Sequence, residues 1–314
     1  MVNTNNITIN KAGTVQNKHS VWKEVKRQKY LLMLLLPGII WYIVFKYLPL
    51  LGLGLAFTDY GFRPKVSFVG FNNFVRLFTS SIYWNAFKNT IIISICNILF
   101  YFPLPIIIAL LINELNSVKM KRLVQFIIYI PYFFSWVVVG SIFVTLLSPS
   151  TGIVNNFITM MGGEPIFFMA NTTWFRPVLI VSYMWRNMGY GAVIYVATLS
   201  TINPELYDAV TVDGAGYWGK MLYVTLPGLK NAIATMLLLN LAQVLLIFEQ
   251  VLVMYNSAVY SVSDVLMTYS FREGLLNQDI GYAVTVGLFT SVISVVLVLS
   301  TNKLSKKFLD ESIL

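Results

Sequence analysis

Six long runs of apolar residues, separated by shorter polar segments, dominate the pattern of the chain. A helix that crosses a bilayer needs about 20 predominantly apolar residues, and each run reaches that length. The pattern therefore predicts six transmembrane helices. Their predicted ranges are 30–57, 85–112, 123–147, 174–200, 229–253 and 280–300.

The polar segments between these runs differ in their content of basic residues. An even number of spans places both termini on one side, and the cytoplasmic side is the one richer in Lys and Arg. Most of the basic residues fall on the side of the termini, namely Lys11, Lys18, Lys23, Lys26, Arg27, Lys29, Lys119, Lys121, Arg122, Lys220, Lys230, Lys303, Lys306 and Lys307. The opposite loops carry Arg63, Lys65, Arg76 and Arg272. Both termini are therefore predicted to be cytoplasmic.

The ends of the chain complete this predicted organisation. Residues 1–29 are polar and basic, and the first apolar run is too long for the core of a signal peptide and lacks a cleavage site. We therefore expect a cytoplasmic tail over 1–29, a transmembrane domain over 30–303 and a second cytoplasmic tail over 304–314.

The composition supports a membrane protein and excludes other classes. Apolar residues make up 57% of the chain and charged residues only 11%, whereas soluble domains carry about 25% charged residues. The net charge of +9 could suggest nucleic acid. Because the basic residues flank the apolar runs, however, the charge is explained by topology, and no nucleic-acid partner is expected.

Few residues in the chain could support catalysis or metal binding. His19 and Cys96 are the only histidine and cysteine, so the sequence predicts no disulfide, no zinc site and no histidine-based proton transfer. The glycine-rich phosphate-binding pattern G-x-x-x-x-G-K-[ST] is also missing. We expect no metal, no cofactor and no enzymatic activity in this chain.

The sizeable loop on the cytoplasmic side of the bundle lies over 203–227, between the fourth and fifth spans. Asn203 is a good N-cap, and Pro204 at the first helical position loses no hydrogen bond. Gly214 and Gly216 end the predicted helix, because glycine tolerates left-handed backbone angles. The helix could be a connector on the membrane surface. Alternatively, its small and apolar residues could dock in a groove of a partner protein.

This loop resembles the EAA loop of permease subunits in ATP-binding-cassette importers. The family pattern reads E-A-A, three residues, G, nine residues and I-x-L-P. The residues at the matching positions are Asp208, Ala209, Val210, Gly214, Val224, Leu226 and Pro227. Among the departures from the pattern, Asp208 in place of Glu shortens the reach of the carboxylate by one methylene, and Val210 in place of Ala enlarges a small face.

Three further stretches resemble the carbohydrate branch of that family, which includes the larger maltose permease subunit and permeases for polysaccharide fragments. They are the residues around the loop glycine and its final proline, a first outer loop at 69–74 and the entry to the second span at 84–90. The resemblance extends over most of residues 30–310.

The resemblance implies a fold, a location and partners. The fold is an all-α membrane protein, a type I importer permease with six transmembrane helices and a cytoplasmic coupling helix between spans four and five. It would lie in the bacterial cell membrane and form a heterodimer with a second permease subunit. Two cytoplasmic ATPases and an extracellular solute-binding lipoprotein would complete the importer. The ATPases would hydrolyse ATP, and the cargo would be oligosaccharides or polysaccharide fragments.

The resemblance also implies which residues couple the permease to the ATPases. They lie in or beside the predicted coupling helix and at the end of the motif: Glu205, Asp208, Ala209, Asp213, Gly214, Gly216, Leu226 and Pro227.

Polar residues inside the fourth and fifth spans are the candidates for a solute path, because charges within a membrane are costly and usually paired or functional. These candidates are Tyr183, Trp185, Arg186, Asn187, Asn240, Gln243 and Glu249. Arg186 and Glu249 could instead form a structural ion pair between the two spans. The aromatic residues Tyr132, Phe133, Trp136 and Trp174 are interpreted as interface or packing residues, and Gly189 and Gly191 as sites of close helix contact.

Two rival functions have less support. A self-sufficient secondary transporter of small solutes would need an ion-coupling site, for which only Arg186 and Glu249 are candidates. A membrane-embedded enzyme would need a catalytic constellation that the sequence does not contain.

Overall fold

The computed structural model describes the backbone of residues 7–9, 15–17, 28–61 and 65–309, and the side chains of 28–61 and 65–303. The basic residues predicted for the first tail before residue 28, His19 and Arg63 lie outside the described residues, as do the side chains of Lys306 and Lys307. The chain divides into two compact units, Met1–Gly54 and Leu55–Leu314.

The first unit contains a short antiparallel ladder and the start of the first apolar helix. Strands β1 (Ile7–Ile9) and β2 (Val15–Asn17) pair with Ile7 opposite Asn17. The prediction of an all-α chain did not include this ladder. Helix α1 (Lys29–Tyr42) continues through a π-helical turn and a 3₁₀ segment, so that the helical stretch Lys29–Phe57 matches the first predicted span.

The second unit is helical throughout its described secondary structure, apart from one isolated bridge between Thr58 and Phe68. Its α-helices are α2 (Asn72–Thr79), α3 (Ser81–Cys96), α4 (Pro103–Glu114), α5 (Val118–Tyr129), α6 (Trp136–Leu146), α7 (Ile153–Met160), α8 (Thr172–Leu199), α9 (Pro204–Val212), α10 (Tyr217–Lys220), α11 (Leu226–Gln243), α12 (Glu249–Met254), α13 (Tyr260–Ser263), α14 (Leu266–Phe271) and α15 (Ile280–Leu309). The π-helical turns are Asn97–Tyr101, Met221–Thr225 and Arg272–Leu276, and the short 3₁₀ helices are Ile130–Phe133 and Ser257–Val259.

Among the described residues, four helical stretches are long and apolar enough to cross a membrane: Lys29–Phe57, Ser81–Glu114, Tyr217–Gln243 and Ile280–Lys303. Three of them contain π-helical turns, which continue α1 toward Phe57, join α3 to α4 and join α10 to α11 without ending the helix. The fourth predicted span forms the 28-residue helix α8. This helix is long enough to cross a bilayer but is not among the four, and it carries Arg176, Arg186 and Asn187.

The third and fifth predicted spans are not single straight helices. The third is broken between Phe133 and Trp136, where its two halves bend by 101°. Ser135 caps the second half by accepting a hydrogen bond from the Val138 N–H. The fifth ends at Gln243 rather than at 253, and α12 begins only at Glu249. The prediction of a continuous helix over 229–253 was therefore wrong.

Close packing along α8 explains two of its glycines. A Cβ atom at Gly189 would lie 2.3 Å from the Ile128 carbonyl oxygen, and one at Gly191 would lie 2.8 Å from Pro105. The prediction that these glycines allow close helix contact is confirmed, because any larger residue would push α5 or α4 away from α8.

Two buried apolar clusters involve opposite ends of α8. One includes Phe175 and Leu179, and the other includes Tyr195 and Leu199. The middle of the helix, residues 183–190, lies between them and carries Tyr183, Arg186, Asn187 and Tyr190. Helix α8 thus holds a polar segment between two apolar cores.

Candidate functional site

A cavity of about 570 Å³ opens beside this middle segment of α8. It is bordered by the π-helical turn Asn97–Tyr101, by both sides of the break in the third predicted span, and by the break at 244–248. Irregular backbone is tolerated at membrane depth only where it is buried in protein or lines a water-filled cavity. Three interruptions of regular helix around one cavity therefore indicate a functional site.

Two buried amide side chains border this cavity. Asn97 and Gln250 are only 7% and 2% exposed, and both line the cavity. The Gln250 amide nitrogen donates to the Leu179 carbonyl at 2.6 Å and to the Ser182 hydroxyl at 2.9 Å. Within the described residues, the side-chain oxygens of Asn97 and Gln250 have no hydrogen-bond partner. An unpaired buried acceptor is costly, and both of these oxygens lie behind the cavity surface, covered by neighbouring atoms.

Arg186 forms the cationic part of the cavity wall. Its Nε donates to the Phe134 carbonyl at 3.0 Å, which satisfies an acceptor at the helix break. Its Nη1 donates to the Asn187 side-chain oxygen at 3.2 Å. The guanidinium carbon lies 4.7 Å from the ring centroid of Trp136 and 5.3 Å from that of Tyr132. These contacts hold the planar guanidinium in one orientation and leave it at the cavity surface.

Aromatic rings extend from Arg186 in both directions along the wall. Tyr132 stacks on Tyr190 with centroids 4.4 Å apart and planes 9° apart. Trp136 and Tyr183 are nearly parallel at 6.2 Å, and Tyr183 meets Tyr101 edge to face at 4.9 Å. Such rings offer apolar faces to the C–H face of a ring-shaped ligand. The Tyr101 hydroxyl donates to the Asn187 carbonyl at 3.4 Å.

Six of the seven residues predicted for a solute path line this cavity: Tyr183, Arg186, Asn187, Asn240, Gln243 and Glu249. Trp185 does not; its ring packs near Phe134 and Phe143, with centroids 6.5 and 5.9 Å away. Among the side chains that the structure describes, no ion pair joins Arg186 to Glu249. The structure thus does not contain the predicted alternative of an ion pair between the two spans.

Sequence reasoning missed several lining residues. Tyr132 and Trp136 were interpreted as interface or packing residues, yet both line the cavity. Asn97 and Tyr101 were not singled out, and Gln250, a polar residue of the fifth predicted span, was not included in the predicted path. A polar Asn97 in the middle of an apolar run was the one available signal, because polar groups within membrane helices usually face the bundle interior.

The 203–227 loop forms a second candidate site. The Asn203 side chain caps α9 by accepting from the Glu205 N–H at 3.1 Å, as its sequence predicts. The helix ends in a Schellman motif: the Ala215 N–H bonds the Val210 carbonyl at 2.9 Å, and the Gly214 N–H bonds that of Thr211 at 3.0 Å. Gly214 has φ of +82°, which is the left-handed conformation that glycine adopts most easily.

The predicted coupling residues lie mainly on the exposed surface of this loop. Exposed are Glu205, Asp208, Ala209, Asp213, Gly214, Gly216 and Pro227, whereas Leu226 is half-buried. Tyr207 and Val210 are half-buried as well. Three carboxylates, those of Glu205, Asp208 and Asp213, are therefore exposed in or directly after α9, whereas Tyr207 and Val210 are partly covered by the rest of the protein.

The broken helices surround a cavity with polar lining residues, and the capped helix α9 is exposed on the loop that follows α8. Together these features are those of a membrane permease. The family described as the inner membrane component of binding-protein-dependent transport systems matches residues 102–310. The chain belongs to this family, and it is a multi-pass membrane protein.

Individual relatives agree with the family over nearly the whole length. The chain is 39% identical over 293 residues to a polygalacturonan/rhamnogalacturonan transport system permease protein of Bacillus subtilis, with 91% of each chain covered. It is 38% identical to protein LplB of the same organism, with 92% of each covered.

A solved structure gives the same result. A chain from a bacterial alginate ABC transporter, in complex with an alginate pentasaccharide-bound periplasmic protein, superposes with a TM-score of 0.88 at 38% identity. The match covers 94% of this chain and 100% of that chain.

Proposed function

We propose that this permease is one of two membrane-spanning subunits of an ATP-driven importer for oligosaccharides or polysaccharide fragments, and that the cavity beside α8 is part of its solute path. The observation that carries the proposal is the meeting of three helix interruptions around a cavity lined by stacked aromatics, amides and one arginine. Aromatic faces and hydrogen-bonding groups together match the two surfaces of a sugar ring.

The preferred cargo is an oligosaccharide that contains uronic acids. Arg186 places a guanidinium at the cavity surface, and its fork of donors can bind a carboxylate with two hydrogen bonds. The named substrates of two similar proteins, polygalacturonan and alginate, agree with this proposal.

The proposed topology has six spans and cytoplasmic termini, with tails over 1–29 and 304–314 around the permease domain. The bent pair α5 and α6 would supply one span, and α8 another. This arrangement places the 203–227 loop in the cytoplasm, where α9 would act as the coupling helix. The partners would be a second permease subunit, two ATPase subunits that hydrolyse the ATP, and an external solute-binding protein.

Uptake by the reconstituted complex tests this function. The chain is assembled with its permease mate and ATPases in proteoliposomes, and the solute-binding protein is added outside. We expect uptake of labelled oligogalacturonates that requires enclosed ATP and exceeds uptake of neutral oligosaccharides of equal length. Uptake by the chain without ATPases would instead support the secondary transporter.

Reversing the charge of Asp208 should weaken assembly. If the exposed carboxylate faces a basic groove of the ATPase, Asp208→Lys introduces like-charge repulsion there and should reduce co-purification of the ATPase by about two- to fivefold at low salt. The yield of co-purified ATPase per permease is the measurement. The defect should shrink at high salt, because screening weakens exposed charge pairs.

Asp208→Glu is the matched control for this variant. It keeps the charge and restores the residue of the family pattern, so its co-purification should equal that of the wild type. An undiminished yield for the Lys variant at low salt would count against a basic groove.

A further inference from the structure

We infer that Tyr207 fastens the coupling helix to the fifth membrane helix, and that this fastening transmits movement of α9 to the cavity. The inference rests on the proposed coupling function of α9. It concerns a positioning residue that the family pattern does not include, because Tyr207 immediately precedes the Asp208 position of the motif.

The contact is a hydrogen bond between two elements that are separate along the chain. The hydroxyls of Tyr207 and Thr225 lie 3.2 Å apart, and Thr225 is only 5% exposed. The Thr225 hydroxyl also donates to the Lys220 carbonyl at 3.3 Å. Because a threonine hydroxyl has a single proton, Tyr207 is then the donor in the bond to Thr225.

Thr225 is well placed to pass on a displacement. It is the last residue of the π-helical turn Met221–Thr225 and directly precedes α11. With 18 residues, α11 is about 27 Å long. Asn240 and Gln243, near the far end of this helix, line the cavity. A shift of α9 would therefore displace the N-terminal end of α11, and the C-terminal end of the same helix forms part of the cavity wall.

A second contact keeps this junction tight. A Cβ atom at Gly228 would lie 2.5 Å from the Cδ1 atom of Ile202, so the start of α11 packs closely against the residue before Asn203. Ile202 in turn packs against the apolar cluster that contains Leu229. The contact between Ile202 and Gly228 fixes the start of the loop relative to α11. The hydrogen bond of Tyr207 to Thr225 then opposes rotation of α9 about that contact.

The test removes one hydroxyl and measures the efficiency of coupling. In proteoliposomes that hold the complete complex, uptake and ATP hydrolysis are measured together. Tyr207→Phe should lower uptake per ATP by about fivefold, the factor that corresponds to the loss of one hydrogen bond in the active conformation. Assembly with the ATPase and basal hydrolysis should not change, because the phenyl ring keeps its packing.

Matched variants separate this role from a general loss of structure. Thr225→Val should also lower uptake per ATP, whereas Thr225→Ser, which keeps the hydroxyl, should have the wild-type value. The double variant Tyr207→Phe with Thr225→Val should show no lower uptake per ATP than the more impaired single variant. Tyr223→Phe removes a hydroxyl from an exposed tyrosine of the same loop and should have no effect. Wild-type uptake per ATP for Tyr207→Phe, or additive losses in the double variant, would overturn the inference.

Amide hydrogen exchange of the purified complex gives a readout that does not depend on transport. Tyr207→Phe should speed exchange across 204–213 and leave α8 unchanged. Unaltered exchange in 204–213 would show that the bond does not fasten the helix. If the wild-type complex shows no ATP-dependent uptake while this exchange still rises, the proposed function fails and the fastening stands.

Discussion

Gly214→Val should uncouple ATP hydrolysis from uptake, with uptake falling at least about tenfold while the protein still inserts and assembles. Gly214 has φ of +82°, and a β-branched residue is strongly disfavoured there. Nothing lies within 4 Å of a Cβ at this position, so the effect comes from the backbone and not from a clash. The valine would open the Schellman turn and change the direction in which α9 leaves the loop. Uptake and ATP hydrolysis by the reconstituted complex are the measurements.

Two controls isolate the cause of this uncoupling. Gly214→Asn should keep most of the uptake, because asparagine tolerates the left-handed conformation. Gly162→Val imposes the same backbone strain, at φ of +84° and with no atom within 4 Å, in the segment after α7. It should leave the uptake per ATP unchanged. Wild-type uptake in Gly214→Val would show that the turn does not orient the coupling helix.

Arg186→Met should reduce uptake of uronate-containing oligosaccharides by about 10- to 100-fold at low substrate concentration. A hydrogen bond to a charged group contributes about 1.5–3 kcal/mol, which corresponds to that range. The Phe134 carbonyl would lose its partner, but the guanidinium that is removed lines the cavity, so water can take its place. Folding should therefore be retained. Thermal stability of the complex and uptake of acidic and neutral oligosaccharides are the measurements.

Further variants distinguish solute binding from a structural role. Glu249→Gln combined with Arg186→Met should not restore uptake, since the described structure has no ion pair between the two side chains. Arg186→Lys should fall between Met and the wild type, because lysine keeps the charge but not the planar fork. Lost stability in Arg186→Met, restored together with uptake in the double variant, would contradict a solute contact.

Arg176 provides a control within the same helix. It donates to the Val262 carbonyl at 3.0 Å and to the Asn89 side-chain oxygen at 2.7 Å, and it does not line the cavity. Arg176→Met should lower thermal stability, because it leaves two partly buried acceptors unpaired. It should not change the preference for acidic over neutral oligosaccharides. A change in that preference would mean that Arg176 also contributes to selectivity.

The cap and the turn of the coupling helix could be predicted because their determinants are local. Asn203 and Pro204 begin a helix, and Gly214 ends it, through interactions with residues only a few positions away. Arg186 and Asn187 could be assigned to a site for a similar reason, since a charge and an amide in an apolar run need polar surroundings.

The helix break at 244–248 could not be predicted, because it depends on distant contacts. The run at 244–248 reads Val-Leu-Leu-Ile-Phe and contains neither proline nor glycine. Its first carbonyl accepts from the hydroxyl of Ser94 at 2.7 Å, across 150 positions of the chain. Gln250, which follows the break, bonds Leu179. Without these tertiary partners the hydrophobic pattern favours a continuous helix, and the cavity residues near the break remain hidden.

The π-helical turn Asn97–Tyr101 determines the rotational phase of the helix that contains it. Such a turn accommodates one residue more than an α-helical turn does, and one residue corresponds to about 100° of rotation. The stretch before the turn, which carries Ser94, and the stretch after it, which carries Ala109, are therefore out of phase by that angle. Each can bury a different side against α8 and its neighbours, while Asn97 and Tyr101 face the cavity at the switch. The number of residues in this segment is thus as important to the site as their identity, and a single-residue insertion or deletion would redirect a whole helix face without changing one cavity side chain.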